Sequence, residues 1–226
     1  MIYLIHGDNL SESRKARFSK LASLKSSGHE VLELDGYKIS LGELETALLT
    51  GNLFSSRALA IDNLLSRPPS KLKEALVAFV ASNASRGEVV LWEKKEVSKS
   101  LSSKLGAKIS LHKTPPTVFK FLEALAPGKS ENALKLYYKT LERAEAGFIF
   151  AMLIRHVSSL IIAKTDQQEL SGSPWHKSQL VKQSALWTTN GLIDLHSQLL
   201  NIDESLKTGA TKLDLKAQLD LLLLAL

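Results

Sequence analysis

The sequence predicts an α/β domain built on a five-stranded parallel sheet in residues 1–112, followed by an all-helical domain in residues 113–226. Three observations support this fold class. Short apolar runs alternate with helix-like segments as far as residue 112, and such alternation is typical of parallel strands with helices on both faces. A Thr114-Pro115-Pro116 stretch then interrupts the pattern. After it, the apolar residues have helical spacing only.

Five apolar runs bounded by polar or turn-forming residues predict the strands. They lie at residues 2–6, 31–34, 58–61, 88–92 and 108–111. The first helix, over residues 11–27, has a predicted apolar side that includes Phe18, Leu21, Ala22 and Leu24. Gly28 follows it as a C-cap glycine does.

The other helices of this half also begin and end at sequence signals. Ser40-Leu-Gly-Glu43 is a capping-box pattern that predicts the start of a second helix. A Pro-Pro-Ser stretch ending at Ser70 opens a third helix over residues 71–82. A short fourth helix over residues 98–105 ends at Gly106.

Six helical segments are predicted after the linker. They cover residues 118–125, 130–142, 146–164, 174–187, 190–206 and 212–226. Ser173-Pro174 is an N-cap residue followed by a proline at the first helical position. The last segment carries leucines on more than one face, so we expect this half to bury surface against other subunits as well as within itself.

Composition narrows the class of protein. The 226 residues are 44% hydrophobic and include no cysteine, which excludes disulfides and thiolate metal sites. The net charge is +6, with 16 basic and 12 acidic residues up to position 112 and 13 and 11 after it. Such a dispersed excess suits a protein that works near DNA or RNA, and many others besides. The N-terminus lacks a basic stretch, and the unbroken apolar runs, residues 221–226 among them, are too short to span a bilayer, so we expect a cytoplasmic protein without a membrane segment.

The loop after the first strand is where a doubly wound sheet would hold a phosphate. It has one glycine and no Gly-Lys-Ser/Thr, and it places Asp8 and Glu12 where they would repel a phosphate. Asp62 ends the third strand, where a metal-binding carboxylate could lie, but a remnant or a helix cap is the favoured interpretation. His6 is the histidine best placed for chemistry, and a structural role is favoured for it. We therefore expect no catalytic residue, no cofactor and no metal.

One connection carries two large apolar side chains. Leu53 and Phe54 lie between a helical pattern that ends at Gly51-Asn52 and the strand at residues 58–61. In one interpretation they fold back onto the preceding helix. In the other they enter a partner's pocket, where each could contribute roughly 1.5–3 kcal/mol.

Several stretches, in order along the chain, resemble the delta subunit of the bacterial DNA polymerase III clamp loader. Together these stretches cover most of the chain, and the one at residues 199–209 is fairly specific. They are Ile2-Tyr-Leu-Ile-His-Gly-Asp8, Leu53-Phe-Ser-Ser-Arg57, residues 118–125 with Gly128-Lys129 and Ala133-Leu134, Pro174-Trp175 with Leu180 and Gln183, and residues 199–209.

The resemblance implies a degenerate AAA+/RecA-like fold without ATPase activity for residues 1–112 and a collar-type domain for residues 113–226. Leu53 and Phe54 would bind the sliding clamp, the ring-shaped beta subunit, and help open it or hold it open. The helical domain would join the ATPase loader subunits in a heteropentamer. That assembly belongs to the DNA polymerase III holoenzyme, whose overall activity is DNA-directed DNA polymerase. Primed DNA would be an indirect or weak partner.

The chain departs from the family in one respect. The family has a small helical lid domain between the sheet domain and the collar, whereas here the collar-like stretch begins within a few residues of the fifth strand. A lid closes over bound nucleotide. A subunit without a phosphate loop has no bound nucleotide whose state a lid could report, so loss of the lid is tolerable.

Two alternatives to the clamp-loader interpretation stay open from the sequence. One is a divergent nucleotide-dependent transferase that uses His6, Asp8 and Asp62 at the ends of the strands. The other is an unrelated helical scaffold that binds a partner through its leucine-rich C-terminus.

Overall fold

A computed structural model describes residues 1–49 and 57–226 of the chain. The chain divides into two compact units, Met1–Thr114 and Pro115–Leu226, which we call the sheet unit and the helical unit. Each unit has its own hydrophobic core. The roles expected of the predicted domains, 1–112 in clamp binding and 113–226 in oligomerisation, stay predictions.

The sheet unit is an alternating α/β structure, as the sequence predicts. Its strands all pair in parallel, in the order β2-β3-β4-β1-β5. The elements are β1 (Ile2–His6), α1 (Leu10–Ser26), β2 (Glu30–Asp35), α2 (Leu41–Leu49), β3 (Arg57–Asp62), α3 (Lys71–Ser82), β4 (Glu88–Glu93), α4 (Lys99–Leu105) and β5 (Lys108–Leu111).

Helices cover both faces of the sheet, which confirms the prediction. On one face, α2, α3 and α4 bury residues such as Leu44, Leu76 and Leu105 against alternate strand residues. On the other face, α1 buries Leu21 and Leu24 against the intervening residues of β1, β3 and β4. The central strands are apolar on both faces for this reason.

Side-chain caps explain where several helices begin. The Ser40 Oγ accepts from the Glu43 N–H at 3.3 Å, and the Glu43 carboxylate accepts from the Ser40 N–H at 2.8 Å, so the predicted capping box is present. The Ser70 Oγ caps α3 through the Lys73 N–H. Gly106 ends α4 with a φ of 57°, in the left-handed region that favours glycine.

The predicted apolar side of α1 is wrong at two positions. Phe18 was expected on the apolar side of the helix, but 75% of it is exposed. Among the leucines and aromatic residues of α1, Leu21 and Leu24 are the ones that are fully buried against the sheet. Phe18 is therefore directed away from the strands. Ala22, also predicted for that side, is exposed too.

The helical unit contains six α-helices in the part of the chain described, as predicted, and one short 3₁₀ turn, Gln167–Glu169. The helices are α5 (Pro116–Glu123), α6 (Ser130–Leu141), α7 (Ala146–Thr165), α8 (Pro174–Ser184), α9 (Thr189–Thr208) and α10 (Leu215–Leu224). The start of α10 is later than the predicted residue 212 because the Asp214 carboxylate caps it, accepting from the Ala217 N–H at 2.8 Å.

The helix α7 is the centre of this unit. It is long and apolar enough, by length and composition, to cross a membrane. It contains no unbroken apolar run of that length, because Arg155 and His156 interrupt the apolar residues. Its side chains Leu153, Val157 and Leu160 are buried in the helical core. The core helix of a soluble helical bundle has the same length and apolar composition.

Candidate functional site

The predicted clamp-binding residues, Leu53 and Phe54, lie outside the described residues. The elements on either side of them are described. The strand β3 begins at Arg57, whose guanidinium lies 3.4 Å from the Glu30 carboxylate and donates to the Ala47 carbonyl of α2. Because β3 runs from Arg57 to Asp62, the connection enters the sheet at the amino-terminal edge of the strands.

The opposite, carboxyl-terminal edge is where the phosphate or catalytic site of the alternative hypothesis would lie. After β1 the chain crosses to the edge strand β2, and after β4 it crosses to the other edge strand, β5. The ends of β1 and β4 therefore form the switch point at which open α/β sheets bind ligands. His6 and Glu93 are the last residues of these two strands.

The loop between β1 and α1 is closed by its own hydrogen bonds. The Gly7 N–H donates to the Glu93 carbonyl, and the Asn9 N–H donates to the His112 carbonyl at 3.1 Å. The Asn9 side chain caps α1 by accepting from the Glu12 N–H. A phosphate loop must present such N–H groups to its ligand, and here those of Gly7 and Asn9 are bonded to carbonyls of the chain.

Backbone geometry holds this loop closed. Gly7 has a φ of 133°, which favours glycine, and a β-carbon there would lie 1.9 Å from the His112 carbonyl oxygen. The Asp8 carboxylate accepts from the Thr114 N–H at 2.7 Å. Asp8 therefore stabilises the segment after β5 and has a structural partner.

His6 has a structural role in this arrangement. Its Nδ1 accepts from the Val97 N–H at 3.0 Å, so the proton of the neutral ring is on Nε2. The residue is 3% exposed, and burial lowers the pKa of the imidazole below its ordinary value. The structure does not bring His6 and Asp62 into a hydrogen-bonded pair; each has other partners.

Asp62 is held by an arginine of α1. The Arg17 Nε and Nη2 donate to the two Asp62 carboxylate oxygens at 2.9 and 3.2 Å, and Nη2 also donates to Glu33 at 2.6 Å. Burial raises the pKa of Asp62, and the bonds from Arg17 oppose that rise. In the described parts of the chain, no group of three His, Asp or Glu side chains is arranged as metal ligands would be.

Glu93 is a buried carboxylate that the sequence did not single out. Its oxygens accept from the Leu65 N–H at 2.6 Å and the Ser66 hydroxyl at 2.5 Å, and the residue is fully buried. Burial raises the pKa of Glu93, while these two bonds oppose the rise. The Lys73 ammonium donates to the Leu65 carbonyl nearby. The group anchors the loop after β3 to the end of β4.

In the helical unit, a polar group links three helices. The Gln183 amide of α8 donates to the carbonyls of Leu122 and Leu125 at the end of α5, at 2.8 and 3.0 Å. Its carbonyl oxygen lies 2.9 Å from the His156 Nε2 of α7. Burial lowers the pKa of His156 to about 4. Gln183 is one of the residues on which the resemblance described above rests, and its role in this structure is to link the three helices.

The last two helices of this unit leave apolar side chains exposed. On α10, Leu219, Leu222 and Leu223 are buried, while Leu221 and Leu224 are 58% and 60% exposed. On α9, Ile193 and Leu200, seven positions apart, are also exposed. The leucines of α10 fit the prediction that the last helix is apolar on more than one face. Partner binding through the exposed residues of either helix stays a prediction.

No protein-family model matches the chain, and no curated protein matches it. Among solved structures, the chain is similar to the DNA clamp loader delta protein of Bacillus subtilis. The sequences are 15% identical, the match covers 99% of this chain and 94% of that one, and the TM-score is 0.46. At that TM-score the likeness carries no argument about function.

Proposed function

We propose that the chain is a non-catalytic clamp-loader subunit of the delta type. It docks on a sliding clamp through Leu53 and Phe54 and joins ATPase loader subunits through its helical unit. The observation that carries the proposal is the Leu-Phe-Ser-Ser-Arg57 stretch on a connection between α2 and a buried central strand. Two adjacent apolar anchors on such a connection suit insertion into a partner's pocket.

The carboxyl-terminal edge of the sheet supports a role without catalysis. The loop that would bind ATP has its N–H groups bonded within the chain, and His6 and Asp62 have structural partners. These bonds disfavour the transferase alternative. Calorimetry with ATP and magnesium should give no saturable heat, and saturable binding would restore that alternative.

Clamp docking is tested with a double variant, Leu53→Ala/Phe54→Ala, and the cognate sliding clamp. Truncating two anchors should weaken binding by several kcal/mol, at roughly 2 kcal/mol or more for each central anchor. The matched control is Leu72→Ala/Phe119→Ala, which truncates a leucine and a phenylalanine that are 39% and 44% exposed on described helices. Equal affinities of wild type and the first variant would remove the docking proposal.

Assembly through the helical unit needs a surface test, because deleting α10 would also remove the buried Leu219, Leu222 and Leu223. Leu221→Ser/Leu224→Ser changes only the exposed leucines of that helix. We expect it to reduce copurification with ATPase loader subunits while leaving clamp binding unchanged. If loader subunits never copurify with the wild-type chain but another partner does, the scaffold alternative is favoured.

A further inference from the structure

The strand β2 forms one edge of the sheet and is open along its outer side. It pairs with β3, and no other strand in residues 1–49 and 57–226 pairs with it. At six residues it is as long as the central strands β3 and β4. Its sequence has neither lysine nor proline, the residues that commonly protect such an edge from further pairing. The N–H and C=O groups on its outer side are therefore a template for another strand.

An apolar groove lies along this edge between β2 and α2. Leu34 packs against the core on the α2 side of the sheet, and Leu32 lies on the same face because alternate residues of a strand share a face. Both leucines, with Ile39 and Ala47, line a groove of about 600 Å³, which we call the β2 groove. Gly42 of α2 also lines it, and a β-carbon added there would meet no packed neighbour within 4 Å. The groove therefore has room for apolar side chains.

The other face of β2 is acidic. Glu33 accepts from Arg17 of α1 at 2.6 Å, so it lies on the α1 side of the sheet, and Asp35 shares that face. About half of each carboxylate side chain is exposed. Asp35 also accepts from the Tyr37 N–H at 2.9 Å and lies 3.9 Å from the Lys38 ammonium. An ionised carboxylate has about four acceptor positions, so both side chains can accept from a further cation.

Charge indicates which kind of strand fits this edge. Residues 30–35 include three carboxylates and no basic side chain, in a chain whose net charge is +6. Among the residues described, the charged lining of the β2 groove consists of Glu33, Asp35, Glu43, Lys38 and Arg57. The two cations lie 3.9 and 3.4 Å from carboxylates of β2 itself. The remaining excess of negative charge favours an occupant that carries lysine or arginine.

A second copy of the chain is disfavoured as the occupant. Two β2 strands paired antiparallel in full register would place Glu30 opposite Asp35 of the other copy, at both ends of the pair. Like charges directly opposite each other destabilise a pair of strands. A nucleic acid is disfavoured for a similar reason, because its phosphates would be repelled by the same carboxylates.

We propose that β2 and the β2 groove bind an extended segment of a partner protein in which apolar residues alternate with lysine or arginine. The segment adds to the sheet as a further strand, and its main chain pairs with the outer edge of β2. Its apolar side chains lie beside Leu32 and Leu34 and fill the groove. Its basic side chains lie on the opposite face, beside Glu33 and Asp35. The alternation is required because successive side chains of a strand point to opposite faces.

This inference goes beyond the proposed function, since it requires neither a sliding clamp nor loader subunits. Leu53→Ala/Phe54→Ala should bind a basic, alternating peptide as the wild type does. Gly42→Leu, which fills the β2 groove, should bind the clamp as the wild type does. Loss of clamp binding and loss of peptide binding are therefore separate results.

The first test uses the full chain and fluorescence anisotropy with a labelled, end-blocked peptide that repeats Lys-Val over about eight residues, a common strand length. We expect saturable binding. A peptide of the same composition with all lysines before all valines should bind at least about 10-fold more weakly, the effect of losing one buried valine. Methylation of alternate peptide nitrogens removes main-chain donors and should also weaken binding. A Glu-Val repeat should not bind.

The second test fills the β2 groove. Gly42→Leu should weaken binding of the Lys-Val peptide about 10-fold or more, because the new side chain takes the place of one apolar side chain of the peptide. Gly147→Leu is the matched control, since Gly147 is likewise the second residue of its helix and a β-carbon there also meets nothing within 4 Å. Leucine has a higher helix propensity than glycine, so both variants are expected to fold.

The third test removes the charges on the acidic face. Glu33→Gln/Asp35→Asn should weaken peptide binding roughly 2- to 25-fold, at about 1.5- to 5-fold for each cross-strand pair of opposite charges. Glu123→Gln/Asp194→Asn, at exposed positions of α5 and α9, should leave binding unchanged.

No saturable binding of the Lys-Val peptide, equal binding of the peptide with separated lysines and valines, or equal binding by wild type and Gly42→Leu would each overturn the inference. Sedimentation velocity tests the remaining occupant. Self-association of the wild-type chain that Gly42→Leu abolishes would assign the β2 groove to a second copy, and that result would overturn the inference as well.

Discussion

Acidification should destabilise the helical unit through one buried histidine. Burial lowers the pKa of His156 to about 4, while the hydrogen bond with Gln183 opposes part of that shift. In the unfolded chain the imidazole titrates near its ordinary pKa, about 6.5. Between these two values the unfolded state binds a proton that the folded state does not, so stability falls as the pH is lowered through this window.

The expected size follows from the two pKa values. A shift of one unit corresponds to about 1.36 kcal/mol, so the full window from 6.5 to about 4 corresponds to about 3 kcal/mol of lost stability in this unit. The loss should be nearly complete at pH 4 and absent above pH 7. Glu93 acts in the opposite sense, because burial raises its pKa, but it belongs to the sheet unit.

The measurement must therefore report on the helical unit alone. Urea unfolding followed by tryptophan fluorescence in a Trp92→Phe background does so, since Trp175 and Trp187 then remain and both lie in that unit. The comparison is between His156 and a His156→Gln variant across the window. A matched control, His196→Gln, changes another histidine of the same unit.

The reasoning would be refuted by either of two results. The first is a helical unit whose stability depends on pH equally with and without His156. The second is an NMR titration that places the pKa of His156 near 6.5. In either case the imidazole would be solvated in the folded state, and its bond to Gln183 could not be the buried link described above.

Three further substitutions test the packing. Gln183→Leu should cost about 3 kcal/mol in urea unfolding, because it removes the partner of the Leu125 carbonyl after α5 and of the His156 Nε2 of α7, at about 1–3 kcal/mol for each buried group. By contrast, Gln198→Leu on the exposed side of α9 should change stability by less than about 0.5 kcal/mol. Gly7→Ala should cost about 3 kcal/mol or more, since its φ is 133° and its β-carbon would overlap the His112 carbonyl; a thermal midpoint equal to that of wild type would contradict this. Ser70→Ala should cost about 1 kcal/mol through loss of the α3 cap, measured by the same unfolding.

Local signals explain why much of the fold could be predicted. The helix at residues 71–82 was predicted with the bounds it has, because Ser70 marks its start and the apolar residues inside it are three and four apart. The strand at residues 108–111 was also predicted with its observed bounds. The alternation of elements then implied a parallel sheet, since two parallel strands require a long crossover between them.

The errors come from features that only tertiary structure supplies. Phe18 has helical spacing relative to Leu21, but whether it is buried depends on how wide a strip of sheet α1 covers. Glu93 is followed by Lys94-Lys95-Glu96, and such a run of charged residues is typical of a solvent-exposed turn. Its burial depends on the Leu65 N–H, which the fold brings to it from 28 residues away.

The short connection after β5 and the closed loop after β1 are linked by hydrogen bonds. Only residues 112–115 separate β5 from α5, where the resemblance would place a lid domain. These same residues close the loop, because the His112 carbonyl accepts from the Asn9 N–H and the Thr114 N–H donates to Asp8. A chain that left β5 toward a lid would have to release both bonds. The short connection therefore occupies, with its own backbone, the Asn9 N–H and the space beside Gly7 at the end of β1.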